Sequence, residues 1–338
     1  MARIFSGIQP SGELHIGNWL GAVRNWVNLQ HDFESFYSIV DLHAVTAGGG
    51  ATDPDRLPQQ TIDMAIGLLS AGIDPEQATL FVQSHVPAHS ELMWLLNAVT
   101  PVGDLERMTQ YKDKSRGLKS IPAGLLNYPI LQAADILLYR ADIVPVGQDQ
   151  FQHLELARGI ARRWNQRFGG GEAFFPEPVA RETEAVRVTG LDGKGKMSKS
   201  QGNTVGLLDA PDDIWQKLRP AMTDPARKTR KDPGNPDICN IFALHGHFSS
   251  ADTCSMVAEQ CRTAGWGCLD CKRVLAENIS ERFAPMRERA QELKSDQRRV
   301  TDLLARGAGH AAAIANETLG GVQERMGLFP PSVVSSTA

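Results

Sequence analysis

The chain has 338 residues, 42% of them hydrophobic and 22% charged, with a net charge of −4. That length has room for two domains, and the composition is that of an ordinary globular protein. It excludes a membrane span of ~18 consecutive apolar residues, a framework of disulfides built on five cysteines, and nucleic-acid binding through overall charge, though not through a local basic surface.

The N-terminus, MARIFSGIQPSGEL, has one basic residue and no apolar run of signal-peptide length, so the expected location is the cytoplasm. Residues 2–8 read as a strand, and QPSGE as a turn. HIGNWLGAVRNWVNLQ then places Ile16, Leu20, Val23 and Val27 on one helical face. A second strand is expected at 35–41, a helix near 56–71 with Gly72 as its stop, a strand at 78–84 and a helix at 91–99. DIVPV (142–146) is a short buried strand that leads into a long helical pattern from Gly147 to Phe168. Strands alternating with helices predict an α/β fold, a Rossmann-like domain with a parallel sheet covered on both faces.

Beyond residue 206 strand signals fade, and helical patterns recur at 211–222, 251–261, 271–296 and 301–327. The expected organisation is a Rossmann-like domain over 1–205, an all-helical domain over 206–328 and a flexible tail over 329–338. The helical part has 17 Lys+Arg against 17 Asp+Glu. Arg227, Lys228, Arg230 and Lys231 form one basic cluster in it, either a solvated loop or a phosphate-contacting surface.

Two short segments carry chemistry. QPSGELHIGN (9–18) follows a strand and opens a helix, where free backbone N–H groups and partial positive charge suit a phosphate. His15 and Asn18 lie three apart on the first turn. GKGKMSKSQGN (193–203) sets three lysines and two serines among three glycines, the composition of a mobile loop with cationic tips. Such a loop can close over a triphosphate, with Lys196 and Lys199 neutralising charge. Taken singly, the first segment reads more readily as a structural turn and the second as a solvated loop.

Together they resemble the two signatures of class I aminoacyl-tRNA synthetases: HIGN the first, KMSKS the second. FSGIQPSG (5–12), GDLERMTQYKDKS (103–115), AADILLY (133–139) and DIVPVGQDQ (142–150) narrow the resemblance to the bacterial tryptophanyl-tRNA synthetase family. The resemblance implies a ligase that activates L-tryptophan with ATP and Mg2+ to tryptophanyl-adenylate, then moves tryptophan to tRNA(Trp). It implies a homodimer with its interface at about 104–180. By the same resemblance, Gln9, Pro10, Ser11, His15, Gly17 and Asn18 hold ATP, with Gly147, Gln148 and Asp149 near the adenosine. Lys196, Met197, Ser198, Lys199 and Ser200 form the closing loop, and Lys114 is a further pyrophosphate contact.

The amino acid brings its own nucleophile, so positioning and charge stabilisation are the protein's task. Indole N–H is a donor only, and Asp135, in an otherwise apolar helix, is the acceptor expected to select it. Phe5, Gly7, Val144 and Val146 supply apolar walls, and Tyr128, Gln150 and His43 orient the ring or the amino-acid head. Position 18 is Asn where the general signature has His, position 132 is Gln where some relatives have Met, and position 148 is Gln where many have Glu. The competing expectations are tyrosyl-tRNA synthetase, a non-catalytic tRNA-binding paralogue, and a nucleotidyltransferase with the same ATP motifs.

Cys239, Cys261, Cys268 and Cys271 have the spacing C-x21-C-x6-C-x2-C, with Cys254 between the first two. One close pair and two singles fit a zinc site, an iron–sulfur cluster or thiols filling a core. The resemblance favours a [4Fe–4S] cluster in the helical domain near the anticodon, where Lys272 and Arg273 are expected to contact phosphate.

Overall fold

The computed structural model describes residues 1–46, 53–147, 150–182 and 188–329. Five strands, β1 (Arg3–Ile8), β2 (Glu34–Ile39), β3 (Ala78–Val82), β4 (Ile143–Val146) and β5 (Val179–Glu182), form one sheet in the order β3-β2-β1-β4-β5. Every pairing is parallel, and Phe5 stands beside Phe36, itself beside Thr79. The runs IFSGI, SFYSI and TLFV are apolar nearly throughout because both faces are covered. The strand order reverses between β1 and β4, and the crevice beyond their carboxyl ends is where α/β sheets place ligands.

After β1 the chain turns and enters α1 (Ile16–Asn18). It widens into a π-helical turn (Trp19–Val23) and continues as α2 (Arg24–Leu29). The expected single helix is therefore interrupted, and such π-turns cluster at functional sites. The short helix α3 (Asp41–Thr46) follows β2. α4 (Leu57–Ser70), α5 (Ala88–Leu96), α6 (Val102–Glu106), α7 (Thr109–Ser115) and α8 (Ala123–Leu138) complete the stretch before β4. α9 starts at Phe151 and ends at Phe168, later than the helical pattern from Gly147 suggests.

Alternate strand residues feed two cores. Ile4, Tyr37, Ile39, Leu80 and Val82 pack with Trp19, Leu20, Val23 and the apolar face of α4. Phe5, Phe36 and Phe81 pack with residues of α5, α8 and α9. The later helices are α10 (Pro211–Leu218), α11 (Asn240–Phe248), α12 (Ala251–Arg262), α13 (Cys268–Ser295) and α14 (Gln297–Arg325). α11 was not expected from the sequence, and α13 begins three residues earlier than its helical pattern does.

These helices do not stand apart from the sheet. Leu275, Ile279 and Phe283 of α13 join the first core, and Ala308, Ala311, Ala315, Leu319 and Val322 of α14 join the second. α14 runs along β3, an edge strand, and covers it. Gly307 permits the approach, since a Cβ there would lie 2.0 Å from the Leu80 carbonyl oxygen. His310 Nδ1 lies 2.8 Å from Thr79 Oγ1, and its ring stacks on Phe36.

Candidate active site

The turn after β1 and the segment after the signature loop are laced together by backbone pairing. Ile16 N donates to Val205 O at 3.0 Å and Leu207 N to Leu14 O at 2.8 Å. His15 caps the helix: its Nδ1 accepts from Gly17 N at 3.1 Å, while its own amide donates to Asn18 Oδ1 at 3.2 Å. The amides of Asn18 and Trp19 both donate to His15 O. The helix start therefore differs from the sequence expectation, because its first amides are already paired within the chain. Burial, then the charges of Lys199 and Lys196, push the His15 pKa down to about 4. The ring is neutral at pH 7, and because Nδ1 accepts, its proton sits on Nε2.

The cations come from the loop. Lys199 Nζ donates to Ser11 O at 3.3 Å, and burial pushes its pKa down to about 8, with Glu13 opposing. Met197 is buried against Gly17, and its amide donates to Val188 O at 2.9 Å. Asn203 ties the loop base: its Oδ1 accepts from Ser198 N at 2.8 Å, and its Nδ2 donates to Asp192 Oδ1 at 2.9 Å. Gly190 makes room, since a Cβ there would lie 2.0 Å from Asn203 Nδ2.

Between these parts lies a cavity of about 550 Å³ at the switch point of the sheet. Phe5, Gly7, Gln9, Asn18, His43, Lys114, Tyr128, Asp135, Val144, Val146, Gly147, Gln150 and Lys196 all line it. Pro10, Ser11, His15, Gly17, Met197, Ser198 and Lys199 lie on the adjoining turn and loop, not in its lining. Gln148, Asp149 and the Ser200 side chain lie outside the described residues. A larger groove, about 710 Å³, runs between α4, α13 and α14 and holds none of these residues.

Asp135 sits at the floor, 1% exposed. Its Oδ1 accepts from Gln83 Nε2 at 2.7 Å and from His89 Nδ1 at 2.6 Å; its Oδ2 meets His43 Nε2 at 2.8 Å. Burial alone would raise its pKa, but the hydrogen bonds and charge of His43 and His89 outweigh this and hold the carboxyl well below the usual range. His89 Nε2 in turn meets the Tyr139 hydroxyl at 2.8 Å, whose pKa is raised by burial and then by Asp135. Tyr128, its pKa pushed up to about 12 by burial, is oriented by Gln110 and His153, with Lys114 Nζ 5.4 Å from its ring centroid. Sequence reasoning missed Gln83, His89, Tyr139 and Gln110. They come from four separate segments; Tyr139 and Gln110 lie inside the AADILLY and GDLERMTQYKDKS runs, while Gln83 and His89 lie outside any motif quoted above.

The family model for class I tRNA synthetases (W and Y) matches residues 1–284. A tryptophan–tRNA ligase of Deinococcus radiodurans is 54% identical over 331 residues, 97% of this chain and 99% of that one. One of Caldanaerobacter subterraneus subsp. tengcongensis is 44% identical over 334 residues, covering 97% and 99%. The crystal structure of the tryptophanyl-tRNA synthetase of Campylobacter jejuni with ADP and tryptophan superposes with a TM-score of 0.87 at 37% identity, covering 96% of this chain and 100% of that one.

The chain belongs to the tryptophanyl-tRNA synthetase family. It is a class I aminoacyl-tRNA ligase for tryptophan, which sets aside the tyrosyl, non-catalytic and nucleotidyltransferase readings.

The cysteines of this synthetase lie away from the cavity. Cys239, Cys261, Cys268 and Cys271 line one small hollow of about 20 Å³, together with Asp224, Arg227 and Trp266. Cys254 is not part of it and donates from Sγ to His245 O at 3.4 Å. Burial, reinforced by the three neighbouring thiols, pushes Cys271 up to about 12. Among the described residues, no group of three or more His, Cys, Asp or Glu is spaced to hold a metal ion. The iron–sulfur expectation is thus not confirmed. A second expectation is corrected outright: Lys272 is 5% exposed and donates to two backbone carbonyls, so it is not available to phosphate. Arg273 lies over the Trp215 ring at 4.1 Å. Arg227 of the basic cluster is also spent inward, on the carbonyls of Arg230 and Trp266.

Proposed function

We propose that the 550 Å³ cavity is where this synthetase activates tryptophan, with Asp135 reading the indole and the 193–203 loop closing on ATP. The observation that carries the reading is the state of Asp135. An ionised carboxylate offers about four acceptor positions, and three donors engage Asp135. The remaining position, on Oδ2, can accept one further N–H. Phe5, Val144 and Val146 pack the indole faces. His43, Tyr128 and Gln150 orient the ring and the amino-acid head.

The tryptophan carboxylate oxygen attacks the α-phosphorus of ATP. The new P–O bond forms as the α–β anhydride bond breaks, and pyrophosphate leaves with Mg2+. Lys196, Lys199 and Lys114 stabilise the leaving charge, while the Gln9–Ser11 turn, His15, Gly17 and Asn18 seat the nucleotide. Met197 and Ser198 anchor the loop, and Gly147 supports the adenosine. Gln148, Asp149 and Ser200 keep their assignments by resemblance. A ribose hydroxyl at the tRNA(Trp) terminus then attacks the adenylate carbonyl, and AMP leaves.

The wider reading is a homodimer in the cytoplasm, with a catalytic domain over 1–205 and a tRNA-binding helical domain over 206–328. Exposed Leu118, Ile121 and Val179, the last on edge strand β5, support an interface within 104–180. No helix among the described residues is long and apolar enough to cross a membrane.

The four clustered cysteines are read as ligands of a [4Fe–4S] cluster, with zinc as the alternative. Thiols gathered this closely are stable as thiolates only around a cation. The hollow admits little more than one water-sized species, and no three of the described ligand-type side chains are spaced to hold an ion, so either group needs the thiols to move. Either group would staple α11, α12 and α13 together, and adenylation needs no redox chemistry from it.

Amino-acid-dependent exchange of pyrophosphate into ATP, run with all twenty amino acids, tests the assignment. Tryptophan alone should support it in the wild type, and Asp135→Ala should lose the tryptophan response while ATP binding persists. Retained tryptophan affinity in that variant removes Asp135 from recognition.

A further inference from the structure

Two side chains that follow hollow-lining cysteines connect to the base of the signature loop, one directly and one through a backbone strap, and neither belongs to the catalytic set. Lys272 follows Cys271 on α13, and its Nζ donates to the carbonyls of Arg219 at 2.7 Å and Ala221 at 2.6 Å. The next residue, Met222, donates its amide to Leu191 O at 2.7 Å. Asn240 follows Cys239 at the start of α11, and its Nδ2 donates to Gly190 O at 2.8 Å. Gly190 and Leu191 are the residues from which the loop departs. Leu191 N donates to Asn203 O at 3.0 Å, and the Asn203 side chain holds Ser198 within the KMSKS sequence. Two independent routes therefore run from the cysteine-bearing helices to the framework that carries Lys196 and Lys199: Asn240 directly to Gly190, and Lys272 through Arg219, Ala221 and Met222 to Leu191.

An apolar side chain of similar length would fill the Lys272 site at less desolvation cost. What the ammonium adds is a fixed geometry for two carbonyls on the strap between α10 and Met222. We propose that Lys272 and Asn240 are positioning residues for the ATP-closing loop, setting its base from α13 and α11. The proposal rests on the reading that the 193–203 loop closes on ATP. A displacement of α11 or α13 reaches the catalytic lysines through these bonds.

The test uses the full-length chain with Lys272→Met, Asn240→Ala, the double variant and Lys272→Arg. In pyrophosphate exchange, Asn240→Ala and Lys272→Met, which remove one and two hydrogen bonds, should each raise KM for ATP about 5- to 20-fold, with KM for tryptophan within about twofold. Tryptic cleavage after Lys194, Lys196 and Lys199, read by mass spectrometry, should become several-fold faster. Lys272→Arg should recover part of both effects, since its guanidinium still presents donors to the two carbonyls. Unchanged ATP KM and unchanged cleavage in Asn240→Ala and Lys272→Met, with cooperative melting intact, overturn the proposal. So does a parallel loss of both KM values and melting temperature, the mark of a merely structural role. Should Lys272→Met fail to fold, Asn240→Ala decides alone. Lys199→Ala separates the two readings: if it leaves the ATP step unaltered, the loop's role in ATP binding has failed, while the cleavage rates still report on the clamp.

Discussion

Lys199 Nζ donates to the carbonyl oxygen of Ser11 at 3.3 Å, across 188 positions of sequence. The contact brings the second signature onto the first. It places an ammonium beside the turn where a polyphosphate is read to sit, and it partly buries that ammonium.

Removing this charge tests the loop. Lys199→Ala and Lys196→Ala should each lower the activation rate about 100- to 1000-fold. The Lys199 pKa of about 8 adds a pH signature. The group is cationic below that value and loses its charge as pH rises through it, so KM for ATP should climb above about pH 8. Lys199→Arg, which does not titrate there, should flatten the climb. An identical alkaline limb in both proteins would assign it to another group.

Asp135 should govern both selectivity and acid stability. A site built on one buried hydrogen bond rejects a ligand lacking it by about 10⁴–10⁵-fold. Asp135→Ala should therefore lose most of the discrimination between tryptophan and an isostere with sulfur in place of the indole N–H, with KM for ATP little changed. The folded-state pKa is depressed, so the carboxylate's contribution to stability is present above the unfolded value near 4 and is lost as pH falls below it. The wild type should show this fall in urea midpoint, and Asp135→Asn, although less stable at neutral pH, should show a shallower one. Equal slopes would mean the carboxylate is not held ionised by His43 and His89.

Gly307→Ala isolates the docking of α14 on β3. An exposed helical glycine gains up to about 1 kcal/mol on replacement by alanine. Here the new Cβ would meet the Leu80 carbonyl at 2.0 Å, and backbone has to move. Destabilisation of about 1–3 kcal/mol is expected from the clash. The sign of the urea-midpoint shift decides, and a stabilised protein would mean that α14 stands off the sheet.

Metal content of the protein purified without air should distinguish the cysteine readings. Iron with a visible absorption band is expected, lost in Cys268→Ser and Cys271→Ser along with some thermal stability. Zinc without colour supports the alternative. Protein that contains neither metal and melts normally removes both.

Much of the fold was legible because its signals are local. IFSGI, SFYSI and TLFV are apolar on both faces, as a doubly covered parallel strand must be, and the QPSGELHIGN and KMSKS runs are contiguous. Lys196 and Lys199 stand out through the resemblance their loop carries, and Asp135 through the cost of an acid among apolar neighbours. Helix boundaries were less legible: α13 starts at Cys268, where Asp270 Oδ2 accepts from Gly267 N, and α9 only at Phe151. Lys272 reads in the sequence as a surface cation beside a cysteine pair, and only its burial against Arg219 and Ala221 shows otherwise.

The sequence by itself determined the class of sheet and the two signature segments, and it singled out Asp135 as an acid in an apolar helix, because each depends on residues close together in the chain. Tertiary structure alone decided how Asp135 stays ionised, how α14 closes the sheet edge and how the cysteine-bearing helices grip the loop. Those outcomes depend on Gln83, His89, His310, Asn240 and Lys272 meeting partners from other segments. The energy of a buried polar group is set by the partner it finds in space, and no local pattern encodes that partner.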